Sequence, residues 1–172
     1  MTQPSEVLVL SGAAGTGKST AGRAIASRVD GTCAIDGDTL SSAKRPWDYD
    51  DYWAFTMRVC ADVLRNGPVP VICGIGLPSQ VFPAAEAAGL RIDMLALVCD
   101  PDEIRRRIVD RGYGEAWRTP EKHLAVDAEL RRVHVPAPHR FTTFDTGIHD
   151  PAATAERTIA WADAAVRRRS AP

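Results

Sequence analysis

Two periodicities alternate along the chain. Short, nearly continuous apolar runs recur at Val7–Ser11, Thr32–Asp36, Val69–Cys73, Met94–Cys99 and Phe141–Asp145. Runs of that length and continuity predict strands buried on both faces. Between them the apolar positions take helical spacing. Thr20–Val29 sets Ile25 and Val29 four apart, on one helical face. Asp51–Asn66 opens on an acidic turn and stops at Gly67-Pro68, Ser79–Ala88 ends at Gly89, and Asp102–Arg111 follows Pro101 and ends at Gly112. Glu121–Val133 follows Thr119 and Pro120, an N-cap with proline at the first helical position. The last helix runs from Pro151, capped by Asp150, to about Arg168. Strands alternating with helices predict an α/β fold, a parallel five-stranded sheet with helices on both faces. No repeat, low-complexity linker or break interrupts the pattern, so residues 1–172 read as one domain.

Composition mainly excludes. A chain of 172 residues can bury a full core without disulfide or metal staples. A net charge of −1 offers no broad attraction to nucleic acid or to a membrane surface, so neither is expected as a partner. The terminal Arg167, Arg168 and Arg169 read as a solvated helix end favoured by the helix dipole. No apolar run approaches the roughly 20 residues needed to span a bilayer. The opening Met1-Thr-Gln-Pro is not a basic stretch leading into an apolar one, so a cytoplasmic location is expected. Cys33, Cys60, Cys73 and Cys99 form no C-x-x-C pair and read as small core residues in a reducing compartment. His123, His134, His139 and His149 lack metal-ligand spacing.

The candidate chemistry starts at the end of the first strand. Gly12-Ala13-Ala14-Gly15-Thr16-Gly17-Lys18-Ser19 fits G-x-x-x-x-G-K-[ST], between a strand and a helix. Glycines let the backbone wrap closely round phosphate oxygens with N–H groups pointing inward. The N-terminus of the following helix adds partial positive charge at the anion. In this pattern Lys18 reaches the β- and γ-phosphates and Ser19 offers its hydroxyl to Mg²⁺. Residues Gly12 through Ser19, with Thr20, are the candidate nucleotide-binding set.

A phosphate loop serves motors, GTPases and kinases alike, and the remaining sequence separates them. The strand Val69–Cys73 runs into Gly74-Ile75-Gly76-Leu77-Pro78 with no carboxylate, where a motor-type ATPase needs one. No Asn-Lys-x-Asp guanine signature exists, and Asn66 is the sole asparagine. No Leu-Ser-Gly-Gly-Gln transporter signature exists either. Instead Ile35-Asp36-Gly37-Asp38-Thr39-Leu40 closes the second strand. In a parallel sheet the carboxyl ends of the strands share one edge with the phosphate loop. Two carboxylates there can divide two tasks, one orienting Mg²⁺ or its waters, the other taking the proton from an attacking hydroxyl. The same residues also suit an Asp-Gly turn and a helix N-cap.

Together, Gly12–Ser19, Asp36-Gly37-Asp38 and the arginine-rich stretch Ile104–Arg111 before a glycine-containing loop resemble the small P-loop kinases of the nucleoside monophosphate kinase-like group. Shikimate, gluconate and adenylylsulfate kinases and chloramphenicol phosphotransferase belong to that group. The resemblance implies a P-loop NTPase fold with a lid, at about residues 112–120, and phosphoryl transfer from ATP with Mg²⁺. It implies Asp36 beside the metal with Ser19, Asp38 as the base, and Arg107 near the nucleotide. It further implies that Arg111, with Arg118 across the lid, stabilises charge on the transferring group. Arg107 and Arg111 are four apart and share a helical face. Arg105 and Arg106 read as surface residues, with Asp110 pairing Arg106 or Arg107. Phe144-Asp145-Thr146-Gly147 corresponds to the adenine-side loop, which in such kinases works largely through backbone groups.

The acceptor segment is expected at about residues 38–62. Trp47, Tyr49 and Trp53 interleave with acidic residues there, a combination suited to a sugar, nucleoside or amine-bearing acceptor. Trp53 and Phe55 equally suit packing on the core, the reading adopted for Trp53. Trp47, Tyr49, Asp38 and Arg58 are the candidate acceptor contacts, Arg58 being placed by its spacing from Tyr52 and Phe55. Lys44 and Arg45 suit an anionic acceptor. Gluconate kinases carry basic residues after the third strand; here the glycines of Gly74–Leu77 suit close backbone approach by an acceptor instead. The expected partners are ATP and a small-molecule acceptor, the chain acting as monomer or homodimer.

Overall fold

A computed structural model describes residues 5–42, 48–110, 119–133 and 135–170, without the side chains of Ser41, Ser42 and Tyr49. Strand β1 (Glu6–Gly12) is buried along its whole length and lies at the centre of the sheet. It pairs in parallel with β3 (Val69–Cys73) on one side and β4 (Arg91–Val98) on the other. Strands β2 (Thr32–Asp36) and β5 (Arg140–Asp145) form the edges, giving the order β2-β3-β1-β4-β5. Alternate side chains of β1 enter different cores, as the two-residue repeat of a strand requires. Val7 and Val9 pack with α3 (Tyr49–Arg65), α4 (Pro78–Ala87) and α6 (Pro120–Leu130). Leu8 and Leu10 pack with α1 (Lys18–Arg28) and α7 (Pro151–Ser170). The expected sheet covered on both faces is therefore present.

Three details differ from the pattern read along the sequence. Strand β4 starts at Arg91, three residues before the apolar run, because its polar positions find partners. Arg91 pairs with Glu6 at 2.9 Å, and Asp93 accepts from Trp161 Nε1 at 2.9 Å and Arg168 Nη2 at 2.6 Å. Paired groups of this kind can be buried at modest cost. Strand β5 is an edge strand with Thr142 and Thr143 exposed, not a strand buried on both faces. A separate short helix, α2 (Gly37–Ser42), follows β2 directly. Among the described residues, no helix is long and apolar enough to cross a membrane.

Helix α3 carries the heaviest packing element on its face of the sheet. Trp53 is 0% exposed and its ring meets Tyr52 edge-to-face, with centroids 5.2 Å apart. Replacing Trp53 with alanine should cost about 3–5 kcal/mol, lowering the thermal midpoint by on the order of 10 °C in a chain of this size. An unchanged midpoint in a calorimetric scan would contradict this placement.

Candidate active site

The loop after β1 is built from constraints on its glycines and alanines. Gly12 has φ 154°, and a Cβ there would lie 2.5 Å from the Leu97 carbonyl oxygen. Gly17 has φ 95° and ψ 7°, a left-handed N-cap from which α1 departs with Lys18 as its first residue. Ala13 is buried in a small cluster with Cys99, Ile104 and Ile108, with Ala14 packed against it. Helix α5 (Pro101–Asp110) thus supports the loop from below. The Thr16 hydroxyl and Lys18 Nζ both donate to the Ala13 carbonyl, at 2.9 and 2.7 Å. Ser19 and Thr20 are exposed on the first turn of α1. The nine residues from Gly12 to Thr20 form one continuous loop and helix start, a geometry that fits phosphate.

Behind the loop lies a cleft of about 350 Å³ lined by Gly15, Gly17, Thr20, Glu103, Arg107, Thr146, His149 and Thr154, among others. Its far wall is the β5–α7 connection, where His149 stacks on Phe144 with centroids 4.5 Å apart and planes 14° apart. Arg107 crosses between the walls. Its guanidinium donates to Glu103 at 2.6 Å, to the Gly15 carbonyl at 3.3 Å, and to Thr146 Oγ1 and O at 3.3 and 3.0 Å. Arg107 therefore does not pair with Asp110; Arg106 does, at 3.1 Å, while also binding Glu103 and lining the cleft. Hydrogen bonds from Arg106 and Arg107 hold the Glu103 carboxyl well below its ordinary range, at about 2, so it is anionic at any working pH.

The second half of the site sits across β3. The register aligns Leu10 with Cys73 and Cys73 with Asp36, a row that ends at the sheet's carboxyl edge. Asp36 and Asp38 are both exposed there. Asp36 Oδ1 accepts the Asp38 backbone N–H at 3.0 Å, so the turn-and-cap reading describes this backbone correctly. A carboxylate has further acceptor sites, and one capping bond leaves room for a second task. Burial pushes the Cys73 thiol up to about 12; the Asp36 charge adds to this and Lys18 opposes it, so both ions act on the same buried group. Burial likewise raises the Tyr52 phenol, with Asp38 and Asp36 contributing, and its hydroxyl donates to the Gly37 carbonyl at 3.2 Å. Ser19 and Asp36 offer hard oxygen donors, the kind that suit Mg²⁺ sharing its remaining coordination with phosphates and water. Among the described residues, no group of three His, Cys, Asp or Glu side chains could hold a metal ion alone.

Two expectations about the acceptor side need correction. A Cβ on Gly76 would lie 2.7 Å from Trp53 Cζ2 and 3.0 Å from Val81. The space beside Gly76 is filled by the core and does not admit an approaching acceptor. Ser11 pins the same residue, its Oγ donating to the Gly76 carbonyl at 2.7 Å. Arg58 is exposed whereas Tyr52 is buried, six residues and roughly two-thirds of a turn away, so of the two residues used to place Arg58 only half-buried Phe55, three positions before it, is its neighbour on α3. Trp47, Lys44, Arg45, Arg111, Arg118 and lid residues 112–118 lie outside the described residues, as does the Tyr49 side chain. Several cleft residues escaped the sequence reading. Glu103 and His149 line the cleft, and buried His123 on α6 accepts the Ala14 N–H at 3.4 Å. Thr146, which also lines it, lies in the Phe144–Gly147 segment that the resemblance placed on the adenine side.

No family model matches the chain, and no curated protein matches it in sequence. Solved structures match its fold along nearly the whole length. A sugar kinase from Janibacter sp. HTCC2649 superposes with TM-score 0.68 at 17% identity, covering 96% of this chain and 98% of that one. The tunicamycin resistance protein of Deinococcus radiodurans gives 0.67 at 14% identity, covering 92% and 95%. A gluconokinase from Sinorhizobium meliloti 1021 gives 0.62 at 19% identity, covering 97% of each. The fold is that of the small P-loop kinases.

The thiols provide a check on this edge. Cys60 and Cys73, both raised to about 12, should carry thiolate at only about one part in ten thousand at pH 8. With an aromatic disulfide reagent on the native protein, half-buried Cys33 should react first and Cys73 only on unfolding. Fast labelling of native Cys73, located by peptide mass, would overturn the burial assigned to it.

Proposed function

We propose that the chain is an ATP-dependent small-molecule kinase, transferring the γ-phosphoryl group to a hydroxyl or phosphate of a nucleoside, nucleotide, sugar-like or antibiotic acceptor. The carrying observation is one sheet edge holding both the Gly12–Ser19 loop and the exposed carboxylates Asp36 and Asp38. The cleft behind the loop is of a size and place to take the rest of a nucleotide. The neighbours named sugar kinase and gluconokinase favour a hydroxyl-bearing acceptor; the one named for tunicamycin resistance keeps an antibiotic within the class.

In this reading the backbone of Ala13 to Ser19 and the Lys18 ammonium hold the phosphates. Lys18 leaves the Ala13 carbonyl for phosphate oxygens, a short swing for a flexible side chain. Ser19 and Asp36 are the residues that would hold Mg²⁺, which would neutralise phosphate charge when bound with the nucleotide. The acceptor oxygen forms a bond to the γ-phosphorus as the bond to the β-γ bridging oxygen breaks. Asp38 takes the acceptor's proton, and ADP leaves. Arg111 is assigned to charge stabilisation on the transferring group.

Transfer should be assayed with Mg·ATP against a panel of sugars, nucleosides, nucleoside monophosphates and hydroxyl-bearing antibiotics. Lys18→Ala should abolish it. Asp38→Asn should lower kcat by about 10²–10⁴-fold with little change in ATP affinity. Full activity in Asp38→Asn would remove the base assignment. Tight ATP binding with no transfer to any acceptor would favour a nucleotide-binding regulatory module instead.

A further inference from the structure

The wall of the nucleotide cleft contains an arginine that uses four of its five N–H donors within the protein. Four donor contacts leave the Arg107 guanidinium, reaching three different segments of the chain. One contact goes to the phosphate loop at the Gly15 carbonyl, two go to Thr146 on the base-side connection, and the shortest goes to Glu103 one turn earlier on α5. Thr146 is itself immobilised. Its N–H donates to the Val98 carbonyl at 2.8 Å, and its hydroxyl donates to the same oxygen at 3.2 Å while accepting from Arg107. The stem of Arg107 also lies against Gly15, where a Cβ would be 3.0 Å from the Arg107 Cβ. The arginine side chain is 26% exposed and Glu103 is 25% exposed, so the pair forms part of the wall and does not dangle into solvent.

We infer that Glu103 and Thr146 are positioning residues for nucleotide binding, holding Arg107 as a clasp that fixes the spacing between the phosphate loop and the base-side loop. The inference rests on the kinase reading above. A ligand that spans both loops meets them already at the right separation, so less ordering is left to do on binding. A ligand that touches the phosphate loop alone gains nothing from that spacing. Glu103 contributes by fixing the guanidinium plane through a charge-assisted bond, and Thr146 by offering both a hydroxyl and a carbonyl at one point. Arg106 shares the Glu103 carboxylate, so removing that charge releases the clasp on its outer side as well.

The test compares ATP with inorganic tripolyphosphate on the full chain by calorimetric titration. Glu103→Gln preserves shape and removes the charge; Thr146→Val removes the hydroxyl and Thr146→Ser restores it. Glu103→Gln and Thr146→Val should each weaken ATP about tenfold, leave tripolyphosphate within about twofold, and Thr146→Ser should bind ATP as the wild type does. In an Arg107→Lys background, Glu103→Gln should add little further loss, because the two act as one unit. Equal losses for both ligands would mean that these residues only support the phosphate loop, and would overturn the clasp. Unchanged ATP affinity in both variants would also overturn it. Failure of the wild type to bind ATP at all would instead remove the kinase reading, and the clasp with it.

Discussion

Everything at the candidate site hangs from the double-sided pairing of β1. A central strand buried over seven residues has its backbone groups satisfied by β3 and β4 and its side chains locked into two cores. Its carboxyl end is therefore held fixed, and the turn at Gly12 leaves it where no side chain would fit against the Leu97 carbonyl. A phosphate loop hung from such a point is preorganised by the sheet. The same pairing carries outward through Cys73 to Asp36, so the register of two strand pairs sets where the carboxylates stand.

Aspartates stand at both ends of the sheet in different settings. At the amino-terminal side, Glu6, Arg91, Asp93, Trp161 and Arg168 bind one another in a partly buried network that ties the end of α7 to β1 and β4. Each charge there is matched inside the protein, an arrangement suited to holding a fold together. At the carboxyl edge, Ser19, Thr20, Asp36 and Asp38 are all exposed. The contrast separates scaffold from candidate chemistry more clearly than residue identity does.

Between these ends, α5 links the parts of the cleft. Its apolar face, Ile104 and Ile108, packs under Ala13, while on its polar face Glu103 holds Arg107, which reaches both loops. An amphipathic helix placed in this way couples core packing to the geometry of the cleft wall. Its buried side positions the helix, and the helix positions the arginine.

Local chemistry made much of this legible from the amino-acid sequence. Apolar runs marked β2 and β3 to the residue, glycine and proline marked the helix ends, and Gly12–Ser19 announced its loop, because each signal depends on neighbours within a few positions. Tertiary structure decided the rest. Asp93 became a strand residue because Arg168 and Trp161 reach it from α7; Gly76 proved necessary because Trp53 occupies the space beside it. Arg107 exchanged an expected surface partner for Gly15 and Thr146, 92 and 39 positions away. Partners that distant are brought together only by the folded sheet, and no spacing along the chain encodes which of several arginines will meet them.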